Sequence, residues 1–168
     1  NSVIDLSGLT VSELDGFAVT RGPGTFTGVR IGLSSVKGLA VASGKPVVGV
    51  SSLDVLAMQA SISSYLICPL LDARRGEVYC ARYRFRSGNL KREIKEQVFP
   101  PDKAVSEINE ACLFVGNGAI LYQETILNKI GKLAHFVPPF QNTIRASTVA
   151  HLSMNRFKND DTDDLATF

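Results

Sequence analysis

The sequence predicts an α/β fold built around a parallel sheet, and three patterns carry that expectation. Between Gly16 and Val50 a short apolar run, a glycine-rich turn, a helical stretch from about Thr27 to Ala42 and the run Pro46-Val47-Val48-Gly49-Val50 follow the cadence of a strand–helix–strand crossover. Tyr65 to Leu71 is an almost unbroken apolar run, too short for a helix, and reads as a buried strand with an irregularity at Pro69. Val78 to Phe85 alternates, with Tyr79, Ala81, Tyr83 and Phe85 on one face and Cys80, Arg82, Arg84 and Arg86 mainly on the other, the pattern of a half-solvated antiparallel strand.

The remaining elements fall between these. Asn1 to Leu6 reads as the tail of an amphipathic segment, so the natural chain is expected to begin earlier. Ser51 or Ser52 caps a short helix carrying Leu53, Leu56, Ala57 and Ala60, and Ile62-Ser63-Ser64 is a joint. Asp72 to Glu77 forms a turn, and Ser87-Gly88-Asn89 closes a hairpin into a polar strand ending at Phe99. Pro100-Pro101-Asp102 starts a helix to about Ala111, followed by a strand from Cys112 to Val115, a turn at Gly116-Asn117-Gly118 and a helix from Ala119 to Ile130. His135 to Val137 is a last strand and Ile144 to Lys158 a last helix. The expected division is a first lobe over 1–62 joined by the helix 144–158, a second lobe over 63–143, and an acidic, mobile tail over 159–168.

Composition narrows the function. In 168 residues, 45% hydrophobic content supplies a buried core and excludes disorder as the dominant state. A formal charge of +2 gives no net-charge argument for a nucleic-acid or membrane partner, and no apolar stretch approaches the roughly 18 residues of a span. A soluble, cytoplasmic protein is expected. Cys68, Cys80 and Cys112 have no CxxC spacing, which argues for reduced, buried thiols. His135 and His151 lie on different predicted elements without a helical metal-binding pair, and no GxSxG elbow is present, so no metal ligand or catalytic residue is assigned.

The segment Arg21-Gly22-Pro23-Gly24-Thr25-Phe26-Thr27-Gly28 lies between a strand and a helix, where free N–H groups and the helix dipole favour an anion. Gly22, Gly24, Thr25 and Thr27 are the candidate anion-binding residues. The spacing fits neither a Rossmann turn nor a Walker loop, and the alternative is a tight turn in which Thr25 or Thr27 caps the helix. On that helix Val29, Leu33, Val36 and Ala40 form an apolar stripe, beside small residues Gly28, Gly32, Ser35 and Ala42 interrupted by Leu39. Only Arg30 and Lys37 carry charge between Gly28 and Gly44, so the helix is either sandwiched inside the fold or buried in an interface. The candidate interface residues are Gly28, Val29, Gly32, Ser35, Leu39 and Ala42.

Asp72, Arg74, Arg75 and Glu77 form a second candidate cluster, read either as a loop facing a cleft or partner or as a solvated turn with local ion pairs. Arg82, Arg84, Arg86, Lys91, Arg92 and Lys95 form a basic stripe suited to phosphates. Glu93 and Glu96 interleave with it, which favours a solvated, edge-protecting face.

Three motifs carry a family resemblance. The run from Arg21 to Gly32 with Lys37-Gly38-Leu39-Ala40, then Val48-Gly49-Val50-Ser51-Ser52-Leu53, then Asp72-Ala73-Arg74-Arg75-Gly76-Glu77-Val78-Tyr79 closely resemble the TsaB (YeaZ) family of bacterial tRNA threonylcarbamoyladenosine biosynthesis proteins, also described as glycoprotease-like homologues of peptidase family M22. The resemblance implies an actin-like ATPase fold in two lobes. It implies a non-catalytic subunit that works with the catalytic paralogue TsaD and the ATPase TsaE to modify the adenosine beside the tRNA anticodon. It further implies pairing with TsaD, or with itself as a homodimer, through a bundle containing the helix after the Gly-Pro-Gly turn. ATP or ADP at the interface of the complex and only indirect tRNA contact are implied too. The family opens with a hairpin carrying an Asp-Thr pair and runs on to a Tyr-Leu-Arg segment; neither is present here, so the first lobe is expected to be incomplete. The alternative is a stand-alone nucleotide-dependent enzyme or peptidase of the same fold.

Overall fold

Helix α1 (Ser2–Ser7) and a 3₁₀ turn at Val11–Glu13 lead into β1 (Phe17–Thr20), which pairs in parallel with β2 (Val47–Val50) across the helix α2 (Phe26–Ser43). This computed structural model describes residues 2–168; Asn1, part of the expected amphipathic segment, lies outside them. Thr25 is the N-cap of α2, its hydroxyl accepting from the Gly28 N–H at 3.3 Å. Gly44 ends the helix in a left-handed conformation, φ 66°, which a residue without Cβ adopts at little cost. After β2, Ser51 caps α3 (Ser52–Gln59) through the Leu53 N–H.

The larger sheet has the order β5-β4-β3-β6-β7, from β3 (Leu66–Arg74), β4 (Glu77–Arg86), β5 (Asn89–Phe99), β6 (Cys112–Val115) and β7 (Ala134–Phe136). β3 sits at its centre, antiparallel to β4 and parallel to β6. Pro69 is accommodated inside this central strand. It is in register with Val115 of β6, while pairing to β4 keeps one register on both sides of it, at Ile67↔Tyr83 and Leu70↔Cys80.

Side chains alternate across the sheet into two cores. Ile67, Ala81 and Tyr83 pack with Leu53, Leu56, Ala57 and Ala60 of α3. Leu66, Cys68, Leu70, Val78 and Cys80 pack on the other face with Ala104 and Val105 of α4 (Pro101–Val105) and with Ile126. The sequence pattern suggested that β4 has a solvated face; instead helices cover both, and the Arg82 stem lies over the second core with its guanidinium donating to the Ala104 carbonyl. A third cluster, Val48, Val50, Val55 and Val149, joins the smaller sheet to α7 (Ala146–Lys158).

Two helices depart from expectation. α4 stops at Val105 rather than near Ala111. The predicted helix from Ala119 to Ile130 is broken at Tyr122 (φ −111°, ψ 24°) into α5 (Asn117–Leu121) and α6 (Gln123–Ile130). The start of α5 is fixed by a close approach: a Cβ on Gly116 would lie 2.3 Å from the Leu70 carbonyl oxygen, and one on Gly118 at 3.0 Å from the same group. After α7 the acidic segment expected to be mobile is hydrogen-bonded to β2. Asp163 N–H donates to the Val47 carbonyl at 2.9 Å, and its carboxylate accepts from the Gly49 N–H at 2.7 Å and from Arg156.

Candidate functional site

The outward face of α2 is exposed along most of its length. The apolar stripe Val29, Leu33, Val36 and Ala40 turns toward the smaller sheet, and Ala40 is the one fully buried residue of the helix. Gly28, Ser35, Leu39 and Ala42 are exposed, Gly32 is half-buried beside Val19, and Val29 is half-buried on the sheet side. Among the described residues no second layer covers this face, so an intramolecular sandwich does not account for its small residues. Gly38 has nothing within 4 Å of where a Cβ would stand. Phe26, Ile31 and Val41 join Leu39 there as large exposed apolar groups, Val41 being 70% exposed. Arg30 stacks over the Phe26 ring at 3.5 Å. Val3 and Leu6 of α1 are also exposed. Sequence reading found the small residues of this surface and Leu39, but did not single out Phe26, Ile31 and Val41.

The glycine-rich turn folds inward. The Gly22 carbonyl accepts from the Ser52 N–H at 2.8 Å, and Gly22 and Gly24 lie against the Val29 side chain. Thr25 caps the helix, and Thr27 is exposed in the first turn. The cluster at Asp72 lies apart from it: the cavity that Gly22 lines with Arg92, Glu96 and Tyr79 includes none of Asp72, Arg74, Arg75 or Glu77. In that second cluster Asp72 accepts from the Arg74 N–H at 2.8 Å and pairs with its guanidinium at 3.4 Å, while Asn117 accepts from the Asp72 N–H. Arg74 and Arg75 are exposed and left-handed, φ 67° and 53°, ahead of Gly76 at 80°. Two side chains with a Cβ thus occupy a conformation that glycine or asparagine adopts more cheaply.

The basic stripe is largely consumed by ion pairs. Arg84 contacts Glu93 at 2.9 Å and Glu110 at 2.7 Å, both of which raise its pKa. Arg92 reaches Asp54 at 2.6 Å, and Arg82 faces Glu107. Within the stripe, the exposed Arg86, Lys91 and Lys95 make no ion pair among the described residues. The thiols are buried. A hydrogen bond with Cys112 and burial push Cys68 well up, and burial pushes Cys80 up to about 12, which keeps both protonated and unreactive. His135 stacks on Tyr65 with ring centres 4.6 Å apart, and His151 is exposed on α7.

Sequence reading missed one grouping. Arg21 after β1, Gly49 and Ser51 around the end of β2, Asp54, Tyr83, Arg92 and Arg156 line one cavity of about 350 Å³. Its residues come from five elements and two loops, so no local motif announces it.

Comparison with known proteins places these features. Residues 1–166 match the family described as TsaD, tRNA N6-adenosine threonylcarbamoyltransferase, whose domain belongs to the actin-like ATPase superfamily. The chain is 31% identical over 159 residues to the tRNA threonylcarbamoyladenosine biosynthesis protein TsaB of Bacillus subtilis, covering 93% of this chain and 69% of that one. It is 34% identical to the Escherichia coli protein of the same name over 69% of this chain and 53% of that one. YeaZ from Pseudomonas aeruginosa superposes with a TM-score of 0.80 at 27% identity, over 98% of this chain and 77% of that one. The chain spans between about half and two thirds of the curated relatives it matches. Its parallel crossover, its five-stranded second sheet and a match that runs through both of them agree with one assignment: the chain belongs to the TsaD family, among its TsaB/YeaZ members.

Proposed function

We propose that this chain acts in tRNA threonylcarbamoyladenosine synthesis as a partner subunit rather than as the catalyst, docking on a TsaD-type paralogue through α2. The outward face of α2 carries the reading. Large apolar groups and an open glycine on the exposed surface of one helix suit a close helix–helix contact, and they would be a liability on a free surface. The names of the relatives supply the pathway. A homodimer through the same face is the form expected when the paralogue is absent, and TsaE and nucleotide join the assembly rather than this chain alone.

The test replaces exposed residues, so that folding is preserved. Ile31→Glu and Val41→Glu, 62% and 70% exposed, should leave the melting temperature of the isolated chain unchanged. Each should weaken association with TsaD, or with itself, at least tenfold, about 1.4 kcal/mol, in sedimentation or size-exclusion titrations. Unaltered association of both variants would reject the α2 interface. Turnover of ATP or peptide by the isolated wild-type protein would reject the partner role in favour of a stand-alone enzyme.

A further inference from the structure

We propose that the helix docking on α2 presents carboxylates to Arg30 and Lys37, and that this charge pattern selects such a partner over a second copy of this chain. The inference rests on the docking role of α2 and goes beyond it by fixing the chemistry of what docks.

Helix α2 is charged with one sign only. From Phe26 to Ser43 it holds Arg30, which is exposed, and Lys37, which is half-buried, and no Asp or Glu. Seven residues are nearly two turns, so the two cations share one flank of the helix, within about 20° of each other around its axis. By the same count the exposed residues Ile31, Ser34, Gly38 and Val41 run along the middle of the outward face, with Gly28 and Leu39 on the opposite flank. The cations therefore border the strip that a partner helix covers, the position from which charged residues set partner choice in paired helices.

The fold itself makes no use of these charges. Neither cation forms an ion pair among the described residues. Of the carboxylates leading into β1, Glu13 is spent on the Thr10 hydroxyl and N–H, and Asp5 and Asp15 make no ion pair among the described residues. The helix dipole does not account for the cations either, because it favours them in the last turn, which holds none. Arg30 is nevertheless held in place: its guanidinium lies over the exposed Phe26 ring, 3.5 Å from the centroid, which keeps the charge along the flank.

Two copies that meet through this face about a two-fold axis crossing the helices run antiparallel, and the same flank of each then faces its counterpart. That arrangement sets four cations along one seam with no carboxylate from either helix. It repels itself, whereas a helix carrying Asp or Glu on the facing flank is attracted at the same positions. The apolar strip supplies association in both cases, and charge decides between them.

The experiment measures, by sedimentation at low and high ionic strength, association of this chain with itself and with the TsaD-type paralogue of its own organism, for the wild type, Arg30→Glu and Ile31→Glu. Arg30→Glu should weaken association with the paralogue roughly tenfold or more. The same change should tighten self-association, because it turns four like charges into two of each sign. Raising the ionic strength should weaken the wild-type complex with the paralogue and strengthen wild-type self-association. Ile31→Glu should weaken both, because it places a charge in the apolar strip whichever helix covers it. If Arg30→Glu weakens both associations equally or changes neither, while Ile31→Glu still acts, the charge assignment is overturned and α2 remains the docking surface. If Ile31→Glu leaves both associations intact, the docking role falls and the charge assignment falls with it.

Discussion

The Asp163 carboxylate ties the last ten residues to the smaller sheet, beside the main-chain bond from its own N–H to the Val47 carbonyl. Asp163 accepts from the Gly49 N–H at 2.7 Å and from both terminal nitrogens of Arg156, at 3.1 and 3.2 Å. Burial alone would raise its pKa, but the Arg156 guanidinium and the Gly49 N–H outweigh burial and hold it below the usual Asp value. The folded value is therefore lower than the unfolded one, about 3.9, so the stabilisation is complete above that pH and is lost as pH falls through the lower folded value. The attachment should hold from neutral pH to about 4 and loosen only below it. Asp163→Ala should release the segment at neutral pH, at a cost of about 2 kcal/mol, read as faster amide exchange at Gly49 and earlier tryptic cleavage after Lys158. Unchanged exchange at Gly49 would contradict this. The sequence displayed the acidic residues Asp160, Asp161, Asp163 and Asp164, but not which of them meets a main-chain donor more than a hundred residues away. That information is tertiary.

Helix α2 shows where periodicity is informative and where it stops. Its start, its glycine stop and its sheet-facing stripe follow from local chemistry, namely a threonine cap, a left-handed Gly44 and apolar spacing. Which of its other faces is covered depends on what packs above it, and no helix-internal pattern contains that. The start of α5 is tertiary in the same way: Gly116 and Gly118 are pulled against the Leu70 backbone, and the helix breaks at Tyr122 before α6 with no local signal in the sequence. Gly38 separates propensity from partnership. In an exposed helix interior, Gly38→Ala should stabilise the isolated chain by up to about 1 kcal/mol in urea unfolding. If the stripe is a contact surface, the same methyl should weaken association with TsaD. A variant that is more stable and associates as tightly as wild type would remove Gly38 from the interface.

At the scale of the whole molecule, the two sheets are unequal. The sequence resemblance and the structural comparison agree on the fold class because the strand–helix–strand crossover and the β3–β4 hairpin are local, strongly patterned units. The cavity built by Arg21, Tyr83, Arg92 and Arg156 escaped, since its members are brought together only when both sheets and α7 are in place. β3 is buried from Leu66 to Leu70 between layers on both faces, whereas β1 is half-buried throughout and, among the described residues, pairs with β2 alone. Amides of β1 should accordingly exchange with solvent before those of β3, by mass-resolved exchange at neutral pH, through openings that spare the larger sheet. Equal protection of the two strands would indicate a single cooperative unit.

The third core cluster joins residues about a hundred positions apart in the chain, and this sets a schedule during synthesis. β2 leaves the ribosome well before Val149 and Asp163, the residues that cover it and bond to its edge. At bacterial-type rates of roughly 5–20 residues per second, an interval of about 100 residues corresponds to roughly 5–20 s. For that time Val48 and Val50 wait without α7, while α3 and the larger sheet are assembled. The smaller sheet is therefore first in order of synthesis and last in order of completion.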